Sequence, residues 1–215
     1  MKIKGNELSF KTFSWMKVND CEIQVPKIGK DLIPMESSEK YVRHLKEFDN
    51  LKYGISQEAL DLVKEDMNLY RIYETIKGED IVYNPCYFKT DDDNPNLVDV
   101  QDIIAHEGSK IKVFLDYYSE GKKEKFRNTL IRILAEKDTE VSLFVIQREG
   151  SEAKSLESIG IFAHENAKVN LCQYQLGCGK LYTNYKCLLD GKKSEAHVNS
   201  VYFGQGEEEL NLFYA

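Results

Sequence analysis

The chain has 215 residues, of which 42% are hydrophobic and 30% charged, so it suits one domain with a substantial core, or one domain and a small cap. Its 29 Lys and Arg residues against 36 Asp and Glu residues give a net charge of −7, which argues against a protein that binds nucleic acid by neutralising phosphates. No signal-peptide core and no apolar run of the ~20 residues that a membrane helix needs is visible. The five cysteines form no recognisable disulfide framework, so reduced thiols and a cytoplasmic location are expected.

Residues 1–80 are predicted to form an N-terminal arm followed by a helical region. The arm is expected to be irregular up to Pro34, with Trp15 as its anchor. A helix is predicted over 38–48, and Gly54 would end this stretch. Ser56 is typical of an N-cap and predicts the start of a further helix. The apolar residues that recur at helical spacing after it are Leu60, Val63 and Met67.

Residues 81–215 are predicted to form a β domain built from repeats. In this part β-branched and aromatic residues alternate with polar ones, and Gly, Asn, Asp and Lys mark the turns. One pattern recurs, with two apolar residues, a small residue, a polar turn and then an alternating strand. Its copies start at Ile103, Ile133 and Ile161, and weaker copies start at Leu188 and Tyr202, at intervals of 30, 28, 27 and 14 residues.

Stacked copies of such a unit bury apolar side chains that a single copy would expose. Side chains two residues apart share a face of a strand, so each copy supplies one inward row. The expected rows are Ile111, Val113 and Leu115, then Val141, Leu143 and Val145, then Val169 and Leu171. This pattern favours a β-solenoid over a β-sandwich, the main alternative, because the turn chemistry recurs along with the alternation.

Three kinds of motif-like segment lack residues that their chemistry needs. His106-Glu107 and His164-Glu165 suggest a zinc protease, but lysine stands where each motif needs a second histidine, four residues later. The segment 177–180 lacks the remaining residues of a phosphate-binding loop, and the segment 91–102 lacks the sixth and twelfth residues of a calcium loop. All three are therefore predicted to be turns.

Cys172 and Cys178 are the candidates for a metal or iron site. Five residues separate them, whereas common zinc and iron–sulfur motifs have a two-residue spacer. In the repeat Cys172 aligns with Phe114 and Phe144, in a row that faces away from the predicted core, so it would point outward or pack on the N-terminal segment. The alternative is that both are free cysteines acting as small apolar residues. No catalytic constellation stands out.

Five segments, in their order along a β-repeat chain, carry a family resemblance. They are Leu51 to Ser56 before a helix, Asn94 to Asp99 before the first β-repeat, Ile103 to Val113, Ala163 to Val169, and Tyr202 to Gly206. Together they resemble the SufB/SufD family of iron–sulfur cluster assembly proteins, over most of the chain from about Ser14 onwards. The resemblance implies a right-handed parallel β-helix preceded by a small α-helical N-terminal region.

The resemblance also implies a role as a non-enzymatic scaffold or accessory subunit of the SUF machinery. Members of this family act with a SufC-type ABC ATPase and with a SufB-type paralogue. Iron or a transient iron–sulfur cluster is implied for the assembled complex, and no residue of this chain is assigned to it.

Two departures from the family pattern refine the expectation. Family members continue with further β-turns and a C-terminal helical segment, so the chain is expected to be C-terminally incomplete and to lack the helices that meet the ATPase. It is expected either to form homo-oligomers through an uncapped end or to be the first part of a longer protein. Asp116 to Ser119 stands where the SufB branch tends to place a cysteine, which favours the SufD-like branch.

Two other functional classes stay open from the residues alone. A cytosolic β-solenoid enzyme acting on carbohydrate usually presents clustered carboxylates or a basic residue on one solenoid face, and the sequence shows no such cluster. A generic protein-interaction module needs no such residues. No nucleic-acid or membrane partner is expected.

Overall fold

The structure, a computed structural model, describes residues 1–5, 22–28 and 41–214. At the N-terminal side, β1 (Lys2–Lys4) and β2 (Glu22–Gln24) form a small antiparallel pair, a 3₁₀ turn spans Lys46–Phe48, and helix α1 spans Gln57–Asp66. The following strands are β3 (Leu69–Glu74), β4 (Asp80–Val82), β5 (Cys86–Thr90), β6 (Asn96–Ala105), β7 (Lys110–Ser119), β8 (Lys125–Ala135), β9 (Glu140–Arg148), β10 (Ala153–Ala163), β11 (Lys168–Leu176), β12 (Lys180–Leu189), β13 (Glu195–Phe203) and β14 (Glu209–Tyr214).

Strands β3 to β14 wind into a parallel β-solenoid of about five turns. The first sheet has the order β14-β12-β10-β8-β6-β3, and the second sheet has the order β13-β11-β9-β7-β4, with β5 also paired to β7. Each strand pairs in parallel with the equivalent strand of the next turn, because the chain passes from one sheet to the other and back before it repeats. The predicted mainly β solenoid is confirmed.

The core between the two sheets consists of the predicted inward rows. Val141 pairs with Ile111 on one side and with Val169 on the other, and Leu143 pairs with Val113 and Leu171 in the same way. These side chains are at most 1% exposed. Burial of each contributes roughly 1.5–3 kcal/mol, which a single turn of the solenoid could not provide by itself.

The register corrects the positions of the two weaker repeats. Ile103, Ile133 and Ile161 lie opposite one another as predicted, but Ile161 pairs with Cys187, so the fourth copy starts one residue earlier than Leu188. The predicted start at Tyr202 is wrong, because this residue lies in the second sheet, opposite Gln175. The 14-residue interval is therefore half a turn, and it resembles a repeat in the sequence because polar turns follow the strands of both sheets.

Helix α1 covers the outer face of the first sheet. Ser56 is its N-cap as predicted, since its Oγ accepts a hydrogen bond from the backbone N–H of Ala59 at 3.1 Å. The buried side of the helix, which includes Leu62 and Val63, packs in one apolar cluster with Val98, Val100, Phe126 and Leu130 of the sheet. Predicted Leu60 and Met67 are partly buried against the same cluster.

The prediction of a helix over 38–48 is wrong for residues 41–48, the part of this range that the structure describes. Only Lys46–Phe48 turns, as a 3₁₀ turn, and Leu45 before it is extended. The backbone N–H of Arg43 donates to the Tyr70 hydroxyl at 3.0 Å, so contact with the solenoid replaces the intrahelical hydrogen bonds that the pattern suggested. Residues 38–40 and the predicted anchor Trp15 lie outside the described residues.

The division into domains at residues 80 and 81 stays a prediction. Strand β3, which precedes that boundary, hydrogen-bonds to β6 within the first sheet. In the described ranges, no helix has the length and apolar character required to span a membrane.

Candidate functional site

The interior of the solenoid has an apolar part and a polar part, and the polar part lies at the ends of the second-sheet strands and at the starts of the first-sheet strands. In the second sheet the inward row of Val145 continues into Gln173, and the next inward row contains Tyr117, Gln147 and Gln175. The first sheet adds inward polar side chains near the start of its strands. Together they form the interior polar cluster, defined as Asp99, Gln101, Tyr117, Arg127, Thr129, Gln147, Glu149, Ser155, Glu157, Gln173, Gln175 and Thr183, all at most 5% exposed.

Arg127 lies at the centre of the interior polar cluster. Its Nε donates to Glu149 at 3.2 Å, and its Nη1 donates to Glu157 at 3.2 Å and to Thr129 at 3.0 Å. Its guanidinium also stacks over the Tyr117 ring at 4.5 Å. Burial alone would lower the pKa of Arg127, but Glu149 and Glu157 outweigh burial and raise that pKa, so the arginine keeps its charge.

The two glutamates around Arg127 accept further hydrogen bonds from neutral side chains. Glu149 Oε2 accepts from Gln147 Nε2 at 3.1 Å and from Ser155 Oγ at 2.7 Å. Glu157 Oε1 accepts from the amide nitrogens of Gln173 and Gln175, at 3.0 and 3.4 Å. Such bonds to a charged acceptor offset the cost of burying the carboxylates.

Asp99 extends the interior polar cluster toward the N-terminal turns. It accepts hydrogen bonds from Thr129 Oγ1 at 2.5 Å, from Gln101 Nε2 at 2.7 Å and from the Tyr117 hydroxyl at 3.0 Å. Desolvation raises the pKa of Asp99 above its ordinary value, because it outweighs the hydrogen bonds, which would lower that pKa. The cluster thus holds three acidic groups around one arginine, with fixed donors and acceptors shielded from solvent.

The two candidate cysteines lie in different environments and are not brought together. Cys178 is buried at the border of the interior polar cluster, and its Sγ donates to the backbone oxygens of Ala153 and Lys180 at 3.3 and 3.4 Å. Burial and the nearby Glu149 raise the pKa of Cys178 to about 12, so its thiol stays protonated, whereas a metal ligand must be a thiolate. Cys172 lies on the outer face of β11, where it pairs with Phe144 as the repeat predicts.

A role of Cys172 and Cys178 as iron ligands therefore stays a prediction. In the parts of the chain that the structure describes, no group of three or more His, Cys, Asp and Glu side chains is placed to hold a metal ion.

His106 joins two carboxylates at a corner of the solenoid. Its Nε2 lies 3.0 Å from Glu74 Oε1, its Nδ1 lies 3.1 Å from Glu136 Oε1, and Arg43 donates to Glu74 at 3.0 Å. Desolvation would lower the pKa of His106, but the hydrogen bonds with Glu74 and Glu136 outweigh it and raise that pKa. The residue follows strand β6 in a turn, as predicted, and links the N-terminal segment to the solenoid corner.

The other two motif-like segments are also turns, as predicted. Asp91 Oδ1 accepts from the backbone N–H groups of Asp93 and Asn94, at 3.1 and 2.8 Å, which closes a polar turn. Gly177 has a φ of +88° in the connection between β11 and β12, a conformation that favours glycine.

The outer face of the second sheet exposes adjoining apolar side chains. Tyr174 pairs with Val201, and Leu176 pairs with Phe203, so the four form one patch, the exposed apolar face. Their exposed fractions run from 40% to 60%. Contiguous exposed apolar side chains are typical of a surface that contacts another protein.

The interior polar cluster is absent from the sequence-based predictions, although the sequence carries a signal for it. In β11 the inward positions continue from Val169 and Leu171 to Gln173 and Gln175, so polar residues keep the inward period of two. A polar side chain at an inward position predicts a buried partner, but the partner itself lies in another turn.

The comparisons with known proteins give one family. The family model described as "SUF system FeS cluster assembly, SufBD core domain" matches residues 88–215, more than half of the chain. No curated protein and no solved structure gives a match. The matched region begins in β5 and contains every residue of the interior polar cluster.

Proposed function

The chain belongs to the SufBD core family of the SUF iron–sulfur cluster assembly system, and from this we propose that it serves as a SufD-like scaffold or accessory subunit. In this role it acts in complex with a SufC-type ABC ATPase and a SufB-type paralogue. The observation that carries the proposal is the family match over residues 88–215, which include most of the solenoid.

A scaffold role agrees with the chemistry of the interior. The charged groups of the interior polar cluster bond mainly to one another, and they are shielded from solvent. We therefore propose that the chain is not an enzyme and that this cluster keeps the stacked turns in register. If the chain itself holds iron, Cys172 is the better candidate, because the Cys178 thiol is protonated.

Assembly with partners agrees with the exposed apolar face. This patch leaves apolar surface in contact with water, whereas α1 covers the corresponding face of the first sheet. Covering it would be favourable by about 25 cal/mol per Å² of apolar surface. Homo-oligomers are a further proposal that the same patch supports.

A cytoplasmic location is part of the proposal. The four cysteines of the described ranges, Cys86, Cys172, Cys178 and Cys187, are free thiols. Free thiols are typical of a reducing compartment.

Anaerobic co-expression tests the proposed function. The tagged chain is expressed with the SufC-type ATPase and the SufB-type paralogue of the same genome, and the purified material is analysed for both partners, iron and sulfide. We expect both partners to co-purify. Recovery of neither partner would contradict the proposed role, whatever the chain's fold.

Two variants of β13 locate the contact. Phe203→Asp places a charge in the exposed apolar face, whereas Asn199→Asp changes an exposed polar position of the same strand. We expect Phe203→Asp to reduce recovery of a partner and Asn199→Asp to leave it unchanged. Equal recovery in both variants would exclude this face as the contact.

A further inference from the structure

Two buried glutamines in adjacent turns of the solenoid have carbonyl oxygens without a donor. Gln147 and Gln175 are partners in the register of β9 and β11 and are at most 1% exposed. Neither Gln147 Oε1 nor Gln175 Oε1 receives a hydrogen bond from any residue that the structure describes. Arg127 Nη2 is ion-paired with Glu149 Oε2 at 3.1 Å but makes no hydrogen bond to a residue that the structure describes.

The orientations of both amides are fixed by their nitrogen atoms. Gln147 Nε2 donates to Glu149 Oε2 at 3.1 Å and to the backbone oxygen of Gly177 at 2.5 Å. Gln175 Nε2 donates to Thr183 Oγ1 at 2.6 Å and to Glu157 Oε1 at 3.4 Å. Turning the Gln147 amide would set its oxygen against the Glu149 carboxylate and the Gly177 carbonyl, and turning the Gln175 amide would set its oxygen against the Glu157 carboxylate. These acceptors have no proton to give.

The three atoms belong to side chains of one hydrogen-bonded network. Arg127 and Gln147 both donate to Glu149 Oε2, at 3.2 and 3.1 Å. Arg127 and Gln175 both donate to Glu157, at 3.2 and 3.4 Å. The shared carboxylates therefore connect the side chains that carry the unused donor and the two unused acceptors.

Leaving these atoms without partners would be costly. A buried polar atom with no hydrogen bond costs about 1–3 kcal/mol, and buried polar groups in native proteins are nearly always paired with protein or water. The charges around these atoms determine which class of molecule can bind between them. Arg127 disfavours a cation, Glu149 and Glu157 disfavour an anion, and a neutral molecule that both donates and accepts satisfies all three atoms.

We propose that the solenoid interior binds internal water between Arg127, Gln147 and Gln175. One water molecule accepts a hydrogen bond from Arg127 Nη2 and donates to the two amide oxygens, and three hydrogen bonds are typical of a buried water. The water completes the contacts of Arg127 and joins two turns of the solenoid where their paired side chains do not bond directly. This site stands apart from the assembly function and holds whether or not partners bind.

Oxygen-17 magnetic relaxation dispersion tests the proposal, because it detects water molecules that stay bound longer than the protein takes to tumble. We expect a dispersion step in the full chain, and we expect its amplitude to fall by at least one water molecule in Gln147→Met and in Gln175→Met. Gln173→Met is the matched control. Its amide oxygen already accepts from Ser200 and Tyr214, at 3.2 and 3.4 Å, so the wild-type amplitude should persist.

A crystal structure of the unmodified chain, at a resolution that shows ordered solvent, provides a second measurement that does not depend on the variants folding. We expect a density peak within hydrogen-bond distance of both amide oxygens. Interior density that shows the two oxygens bonded to protein, or the same dispersion amplitude in all four proteins, would overturn the proposal.

Discussion

Replacement of Arg127 by methionine tests whether the interior polar cluster depends on its single buried arginine. Methionine keeps much of the side-chain volume but leaves Glu149 and Glu157 without their cation. The side chains of Arg127 and of both glutamates are at most 1% exposed, so bulk water cannot replace the lost contacts. Removing one partner of a buried ion pair typically costs about 3–5 kcal/mol, because the remaining charge stays buried and uncompensated. A domain is usually stable by about 5–15 kcal/mol, so the variant should lose a large part of its stability.

The assay is urea unfolding at neutral pH followed by circular dichroism, with the free energy of unfolding taken from the midpoint and the slope. Arg148→Met is the matched control, because Arg148 also pairs with a carboxylate, that of Asp116, and stacks over a tyrosine ring at 4.5 Å, the distance found for Arg127. The Arg148 side chain is 47% exposed, so its loss should cost at most about 1 kcal/mol. Equal losses in the two variants would refute the reasoning that burial makes the Arg127 contacts important.

Three further predictions concern a titrating group, a thiol and a turn. His106 has a raised pKa in the fold, so its stabilisation is complete below the ordinary value of about 6.5 and disappears as the pH rises through the raised value. The melting-temperature difference between the chain and His106→Ala should therefore shrink as the pH rises above about 6.5, and a difference that stays constant with pH would contradict the assigned contacts. Iodoacetamide should label Cys172 in the native protein well before Cys178, as mass spectrometry of peptides would show, because the Cys178 thiol is buried and protonated; early labelling of Cys178 would be inconsistent with its burial. Gly179→Ala should lower the melting temperature more than Gly206→Ala, because a Cβ at Gly179 would lie 2.0 Å from a backbone oxygen. A Cβ at Gly206 would meet nothing within 4 Å, so that substitution costs only about 1 kcal/mol for the φ of +63°. Equal decreases in the two variants would contradict the close approach at Gly179.

The stacked core was predictable because its signal is local and repeated. Val113 and Leu143 alternate with polar neighbours inside each strand, and the same turn follows each copy, so the face and the stacking order can both be read from one sequence. The N-cap at Ser56 was predictable for a similar reason, since the cap bonds within the first turn of its own helix.

The interior polar cluster was not predictable, because its partners come from different turns. Glu157 accepts hydrogen bonds from Arg127, 30 residues away, and from Gln173, 16 residues away. No local sequence pattern predicts either contact. The helix expected over 38–48 failed for a related reason, since the solenoid supplies the partner of Arg43 through Tyr70. In both cases contacts distant in sequence outweighed the local preference.

The parallel register sets a constant loop length for folding. Ile103 meets Ile133 and Ile133 meets Ile161, so each new turn of the solenoid closes a loop of nearly the same size as the one before. The entropic cost of closure depends on loop length, so each added turn meets nearly the same cost, whatever the total number of turns. Adding or deleting one whole turn should therefore leave the contact distances along the chain, and with them the barrier to adding each turn, almost unchanged.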